Sequence, residues 1–196
     1  APTASETLQC KERYRFMGQT STTSKLIVFS GLPGTGKSTL AEALGRRLGY
    51  PVFAFDQLVG ALTPLGVPRN GIGGEIGYAL LTTLGQRQLL LGQSAILDCV
   101  ASRQETRLAW QRMASEMGAL FLPILTICSD ELLHRSRMVG RERGIPGWYE
   151  LTWDDVQEVQ RGYQDWTGSN LTLDARDSFD SNFQEALAYV IEAGKL

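Results

Sequence analysis

The chain has 196 residues, 43% hydrophobic and 20% charged, ordinary values for a globular protein with a real core and too apolar for a disordered one. Its 19 basic and 21 acidic residues leave a formal charge of −2, which gives no global attraction to nucleic acid or to an acidic membrane surface. No apolar run reaches transmembrane length and no signal-peptide core opens the sequence. The three cysteines stand in no metal or redox spacing, so a reducing, cytoplasmic setting is expected.

Residues 1–24, ending in Thr20-Ser21-Thr22-Thr23-Ser24, read as a polar leader, and 25–196 as one domain. Residues 26–29 (Leu-Ile-Val-Phe) form a β-rich apolar run of the kind that makes a buried parallel strand. It leads into Gly-Leu-Pro-Gly-Thr-Gly-Lys-Ser-Thr at 31–39, which matches G-x-x-x-x-G-K-[ST], the phosphate-binding P-loop. Glycines let successive backbone N–H groups turn inward on phosphate oxygens, and Gly31, Gly34, Thr35, Gly36, Lys37, Ser38 and Thr39 are the nucleotide-binding candidates. Lys37 supplies an ammonium to the β- and γ-phosphates, Ser38 a hydroxyl to Mg²⁺, and the helix that follows a positive dipole end. That helix is marked by Leu40, Ala41, Ala43, Leu44 and Leu48 at helical spacing, with Gly49 as its stop. Strand, loop and helix in register predict a nucleoside-triphosphate site, with ATP and Mg²⁺ as cofactors.

Beyond it the pattern alternates. Residues 52–55 make a second strand ending in Asp56, and 57–65 a short helix. The loop 68–74 carries Arg69, and 75–91 is a mostly apolar helix. Residues 95–97 make a third strand ending in Asp98. Ser102-Arg103-Gln104-Glu105 has capping-box spacing and predicts a helix to 117. A fourth strand covers 119–127, and Ser129-Asp130 starts a helix towards 137. Residues 140–149 are charged and contain glycine and proline, the composition of a mobile loop. A second capping box, Thr152-Trp153-Asp154-Asp155, predicts a helix to about 166. A fifth strand at 170–173 ends in Asp174, and Ser181-Asn182-Phe183-Gln184 opens the last helix. Five short strands with helical crossovers imply a three-layer α/β fold of the P-loop NTPase type. It has a five-stranded parallel sheet, helices on both faces, an insert at about 57–94 and a lid at about 138–150.

Ligands of such sheets sit beyond the carboxyl ends of the strands, where the P-loop, Asp56, Asp98 and Asp174 all fall. Asp56 is placed to take a proton from an acceptor hydroxyl, its alternative being an N-cap. Asp98 is a candidate to hold Mg²⁺ through water, to orient the acceptor, or to cap its loop. Arg137, Arg141 and Arg143 lie on or beside the lid, where arginines can close over a γ-phosphate and stabilise transition-state charge. Arg69, Arg103 and Arg107 are acceptor-binding candidates with Asp56 and Asp98, and the lone His134 reads as structural. Of the four tryptophans, Trp148, with Tyr149, is the one placed to escape a purely packing role.

From the P-loop to the final helix the chain resembles the small P-loop kinases. This group includes phage-type polynucleotide kinase, gluconate kinase, chloramphenicol phosphotransferase and the zeta-toxin relatives. The resemblance rests on the P-loop, on Phe55-Asp56, on Leu97-Asp98 with Thr106-Arg107-Leu108-Ala109-Trp110, and on Leu132-Leu133-His134-Arg135 before the lid. It implies that Asp56 is the general base, that Lys37 and Ser38 serve ATP and Mg²⁺, and that a lid arginine clamps the transition state. The sequence departs from the polynucleotide pattern at Val59, where that pattern has an arginine gripping an acceptor phosphate, and its lid is longer and richer in glycine. The expectation is a kinase acting on a hydroxyl of a small molecule. A polynucleotide 5′-hydroxyl kinase is the alternative, so nucleic acid is a possible but not favoured partner. A nucleotide-gated regulatory ATPase is a third reading, no membrane is implied, and the oligomeric state is left open.

Overall fold

β1 (Lys25–Ser30) is buried along its whole length, as the middle strand of a sheet covered on both faces must be. In the computed structural model, which describes residues 23–69 and 71–193, it pairs in parallel with β3 (Ala95–Asp98) and β4 (Leu120–Ile127). β2 (Val52–Ala54) and β5 (Leu171–Asp174) form the edges, giving a parallel sheet of order β2-β3-β1-β4-β5. The expected α/β P-loop fold is the observed one.

Period-two alternation sorts β1 between two cores. Leu26 and Val28 pack with Leu81, Leu97, Trp110 and Met113 beneath α3 (Ile72–Leu90) and α4 (Gln104–Glu116). Ile27 and Phe29 pack with Leu40, Leu44, Ile124 and Val190 beneath α1 (Lys37–Leu48) and α7 (Phe179–Glu192). The remaining helices, α2 (Phe55–Leu62), α5 (Glu131–Met138) and α6 (Trp153–Arg161), gather with the 140–150 segment at the carboxyl ends of the strands. Among the described residues no helix is long and apolar enough to cross a membrane. The polar leader lies outside the described residues apart from Thr23 and Ser24.

Several boundaries differ from those the sequence suggested. β2 stops at Ala54, so Asp56 stands in the first turn of α2 and not on the strand. α2 ends at Leu62 and a 3-10 turn covers Thr63–Leu65, with Pro64 in its opening positions. α3 begins at Ile72, inside the expected loop, because Gly73 lacks the side chain that would collide with the Pro68 carbonyl. The first capping box does not form. Arg103 is the N-cap of α4 without a side-chain cap, and the Gln104 N–H donates to Gln164 Oε1 at 2.6 Å. α6 ends at Arg161, short of 166, and the final helix starts three residues early, capped by Ser178. The Thr152–Asp155 box forms in full.

Candidate active site

The P-loop is folded from below. Gly31, at φ 135°, packs against the Thr126 carbonyl, a conformation and a closeness that exclude any other residue. Thr35 Oγ1 bonds Thr126 Oγ1 at 2.7 Å and the Leu32 carbonyl at 2.8 Å. His134 sets its Nε2 2.7 Å from the Pro33 carbonyl while its ring meets Trp153 edge-on, so α5 braces the loop from behind. These contacts turn the side chain of Thr35 inward. They leave Gly34, Gly36, Lys37, Ser38 and Thr39 to line a cleft of about 310 Å³ above.

Lys37 Nζ donates to the Leu32 carbonyl at 2.9 Å. Burial pushes its ammonium below the usual lysine value, and Asp98 and Asp56 oppose the shift. Asp98, at the end of β3, is 5% exposed. Burial raises its carboxyl above the usual carboxylate range, against Lys37 and a hydrogen bond with Ser38. A hydroxyl beside a carboxylate is a hard-oxygen pair suited to Mg²⁺. Among the described residues no group of three His, Cys, Asp or Glu forms, and none is required. Mg²⁺ keeps several waters and takes phosphate oxygens as ligands, so Ser38 and Asp98 fit the ion.

The loop after Asp98 is held from three sides. Ala101 adopts φ 47°, unusual for a side-chain-bearing residue. Its N–H donates to the Tyr78 hydroxyl at 3.1 Å, and its carbonyl accepts from Arg107 Nε at 2.6 Å. Ser30 Oγ and the Gly31 N–H both donate to the Val100 carbonyl. Arg107 is fully engaged here: it also reaches the Asp165 carbonyl and lies over the rings of Tyr163 and Trp166. The structure therefore places Arg107 beneath the loop and leaves exposed Arg103 at the cap of α4, both outside the cleft lining.

The 140–150 segment, where a lid was expected, lies against α2. Gly60 admits the Pro146 carbonyl, 2.7 Å from where a Cβ would stand, and the side chain of Trp148 sits beside it. Glu150 Oε1 accepts from the Arg143 and Gly144 N–H groups, which fixes the turn that presents Arg143. Arg143 Nη1 forms an ion pair with Asp56 Oδ2, both partly buried. Arg141 lines the same cleft, and burial together with Arg143 draws its guanidinium below the usual arginine value. Arg137 lies elsewhere, donating to the Ala175 carbonyl at 2.7 Å beyond β5, where Asp174 accepts from the Ser129 and Arg176 N–H groups. Arg69 lines the cleft from the insert and stacks 3.9 Å over Tyr149.

Four of the rings in the lining are Phe55, Tyr78, Trp148 and Tyr149. Phe55 and Tyr78 were not legible as site residues. The signal available was Gly77, one residue before Tyr78, whose missing side chain admits the Phe55 ring against α3. A larger cavity, about 850 Å³, opens beside Gly49, Tyr50 and Ser94 at the amino ends of the strands. The smaller cleft is the candidate site because ligands of parallel sheets sit at the opposite, carboxyl edge.

The AAA_33 family model, an AAA domain, matches residues 26–164. The chain belongs to this family. No curated protein matches the sequence. Among solved structures, a gluconokinase from Sinorhizobium meliloti 1021 superposes with a TM-score of 0.66 at 18% identity, covering 89% of this chain and 95% of that one. Kti12 of Chaetomium thermophilum, in complex with ADP-AlF3, gives 0.65 at 17% over 86% and 98%. The APS kinase CysC of Mycobacterium tuberculosis, in complex with AMPPNP and APS, gives 0.61 at 20% over 87% and 99%. The P-loop kinase-like fold of this AAA_33 member is thereby shared with proteins that hold ATP or ADP analogues.

Proposed function

We propose that the protein is an ATP-dependent phosphotransferase that moves the γ-phosphate of ATP to a hydroxyl of a small molecule in the cytoplasm. The observation that carries this reading is the ion pair between Asp56 and Arg143. It joins a candidate base to a lid cation within one cleft whose floor is the P-loop.

In this reading the P-loop N–H groups and Lys37 hold the β- and γ-phosphates, and Ser38 and Asp98 hold Mg²⁺, which when bound neutralises phosphate charge. Arg143 leaves Asp56 for the γ-phosphate once ATP and acceptor are both present, with Arg141 beside it. Asp56 then accepts the acceptor's proton as the new O–P bond forms and the bond to ADP breaks. Trp148, Tyr149 and Leu151 line the cleft on the lid side and exclude water. A cleft of about 310 Å³, with Arg107 committed beneath it, supports a small acceptor over a polynucleotide strand.

The test is a screen for acceptor-stimulated ADP release with hydroxylated metabolites, aminoglycoside-like compounds and 5′-hydroxyl oligonucleotides. Stimulation by a small alcohol that vanishes in Lys37→Ala supports the reading. Stimulation by oligonucleotides alone would make it a polynucleotide kinase, and ADP release indifferent to every acceptor would make it a regulatory ATPase.

A further inference from the structure

Four cations line the cleft (Lys37, Arg69, Arg141 and Arg143) against two carboxylates, Asp56 and Asp98. Three of the four belong to the P-loop or the lid, where phosphates bind in the kinase reading. Arg69 does not. It comes from the insert, and among the described residues no carboxylate pairs with it. Its guanidinium lies over the face of Tyr149, a contact that orients it while leaving its N–H edges to donate.

From that ring a continuous aromatic wall leads back to the base. Tyr149 meets Trp148 at 5.5 Å between centroids, Trp148 meets Phe55 edge-on at 6.2 Å, and Phe55 precedes Asp56 in the chain.

We infer that the acceptor is a small hydroxylated anion with a flat apolar face, its hydroxyl at Asp56, its face on the Phe55–Trp148–Tyr149 wall and its anionic group on Arg69. This inference rests on the kinase reading for the role of Asp56. The shared chemistry is an oxyanion that presents two oxygens side by side, a carboxylate or a phosphate ester, which a guanidinium fork matches. It moves anion recognition from Arg103 and Arg107, which stand outside the cleft lining, to the insert.

The experiment is calorimetric titration of the full chain saturated with Mg·ADP, which keeps anions off the P-loop. The probes are 4-(hydroxymethyl)benzoate, 4-(hydroxymethyl)phenyl phosphate and the neutral 1,4-benzenedimethanol, titrated into wild type, Arg69→Gln and Trp148→Phe. At least one anion is expected to bind about tenfold or more tighter than the diol, the worth of one charge-assisted contact. The carboxylate and phosphate arms then show which oxyanion is preferred. Arg69→Gln should abolish the difference. Trp148→Phe, which keeps a ring in the wall, should leave the preference for an anion over the diol in place. Melting curves with Mg·ADP confirm that each variant is folded.

Equal binding of diol and anions, equal loss for all three in Arg69→Gln, or no binding of either anion at millimolar concentration overturns the inference. Because binding is read without transfer, an Arg69-dependent anion site in a protein that transfers nothing would overturn the kinase reading alone. Transfer to neutral alcohols that ignores Arg69 would do the reverse.

Discussion

The floor of the cleft is held by backbone and buried groups, whereas its roof is held by stacked rings and one ion pair. Below, Gly31 sits on Thr126, Thr35 is tied to the same residue, and His134 braces Pro33. Above, the lid rests on Gly60, Arg143 meets Asp56, and Arg69 covers Tyr149. A rigid floor suits the triphosphate, whose geometry is the same in every cycle. A roof of rings and side-chain cations can open for an acceptor and close over it. The two regions therefore answer differently to mutation: damage to the floor should remove nucleotide chemistry altogether, and damage to the roof should alter acceptor use while sparing ATP binding.

Lys37→Ala should abolish turnover with every acceptor, checked by ADP release, since no other group of the floor brings a cation to the phosphates. Asp56→Asn should leave ATP affinity near wild type in a calorimetric titration while cutting transfer by on the order of a hundredfold, the usual loss with a general base. If both steps fall together in Asp56→Asn, the division between floor and roof is broken.

Arg107→Ala probes the seam between them. It strands the Ala101 and Asp165 carbonyls and the rings of Tyr163 and Trp166. We expect a loss of about 2–4 kcal/mol in denaturant unfolding, as for removal of a buried hydrogen-bonded group. Gly60→Ala should act on the roof alone. Its new methyl would press on the Pro146 carbonyl, raising the acceptor KM several-fold, while the gain in helix propensity of about 1 kcal/mol offsets most of the effect on Tm.

The smallest effect concerns pH. Asp98 binds its proton more tightly in the folded protein than in the unfolded chain. Its contribution to stability is therefore fully present below the ordinary aspartate pKa and is lost as pH rises through the higher folded value. Asp98→Asn should flatten that fall in the nucleotide-free protein, read as Tm against pH.

How much of this was legible follows the same division. The floor is local in sequence: strand, nine-residue loop and helix run consecutively, so spacing alone located Lys37 and Ser38. The Thr152–Asp155 cap is equally local and formed as read. The Ser102 box failed because the helix is capped one residue later, at Arg103, where Gln164 from a segment sixty residues away accepts from the first helical N–H, that of Gln104. That segment crosses to Arg107, which is also why α6 stops at Arg161 and why an arginine that looked free for a ligand lies beneath the loop. The roof draws on residues 55, 69, 78, 143 and 148, and no periodicity links them. Tyr78 reads as one more apolar-helix position until α3 is laid beside Phe55. Among three lid arginines, sequence could not separate Arg137, turned to Ala175, from Arg141 and Arg143 in the cleft.

Phosphate transfer to an alcohol is measured most directly by following the label from γ-³²P-ATP in the presence of the acceptor panel. Label is expected in a phosphate monoester of a small hydroxylated acceptor and is lost in Lys37→Ala. Label found only in inorganic phosphate, whatever acceptor is supplied, would contradict it.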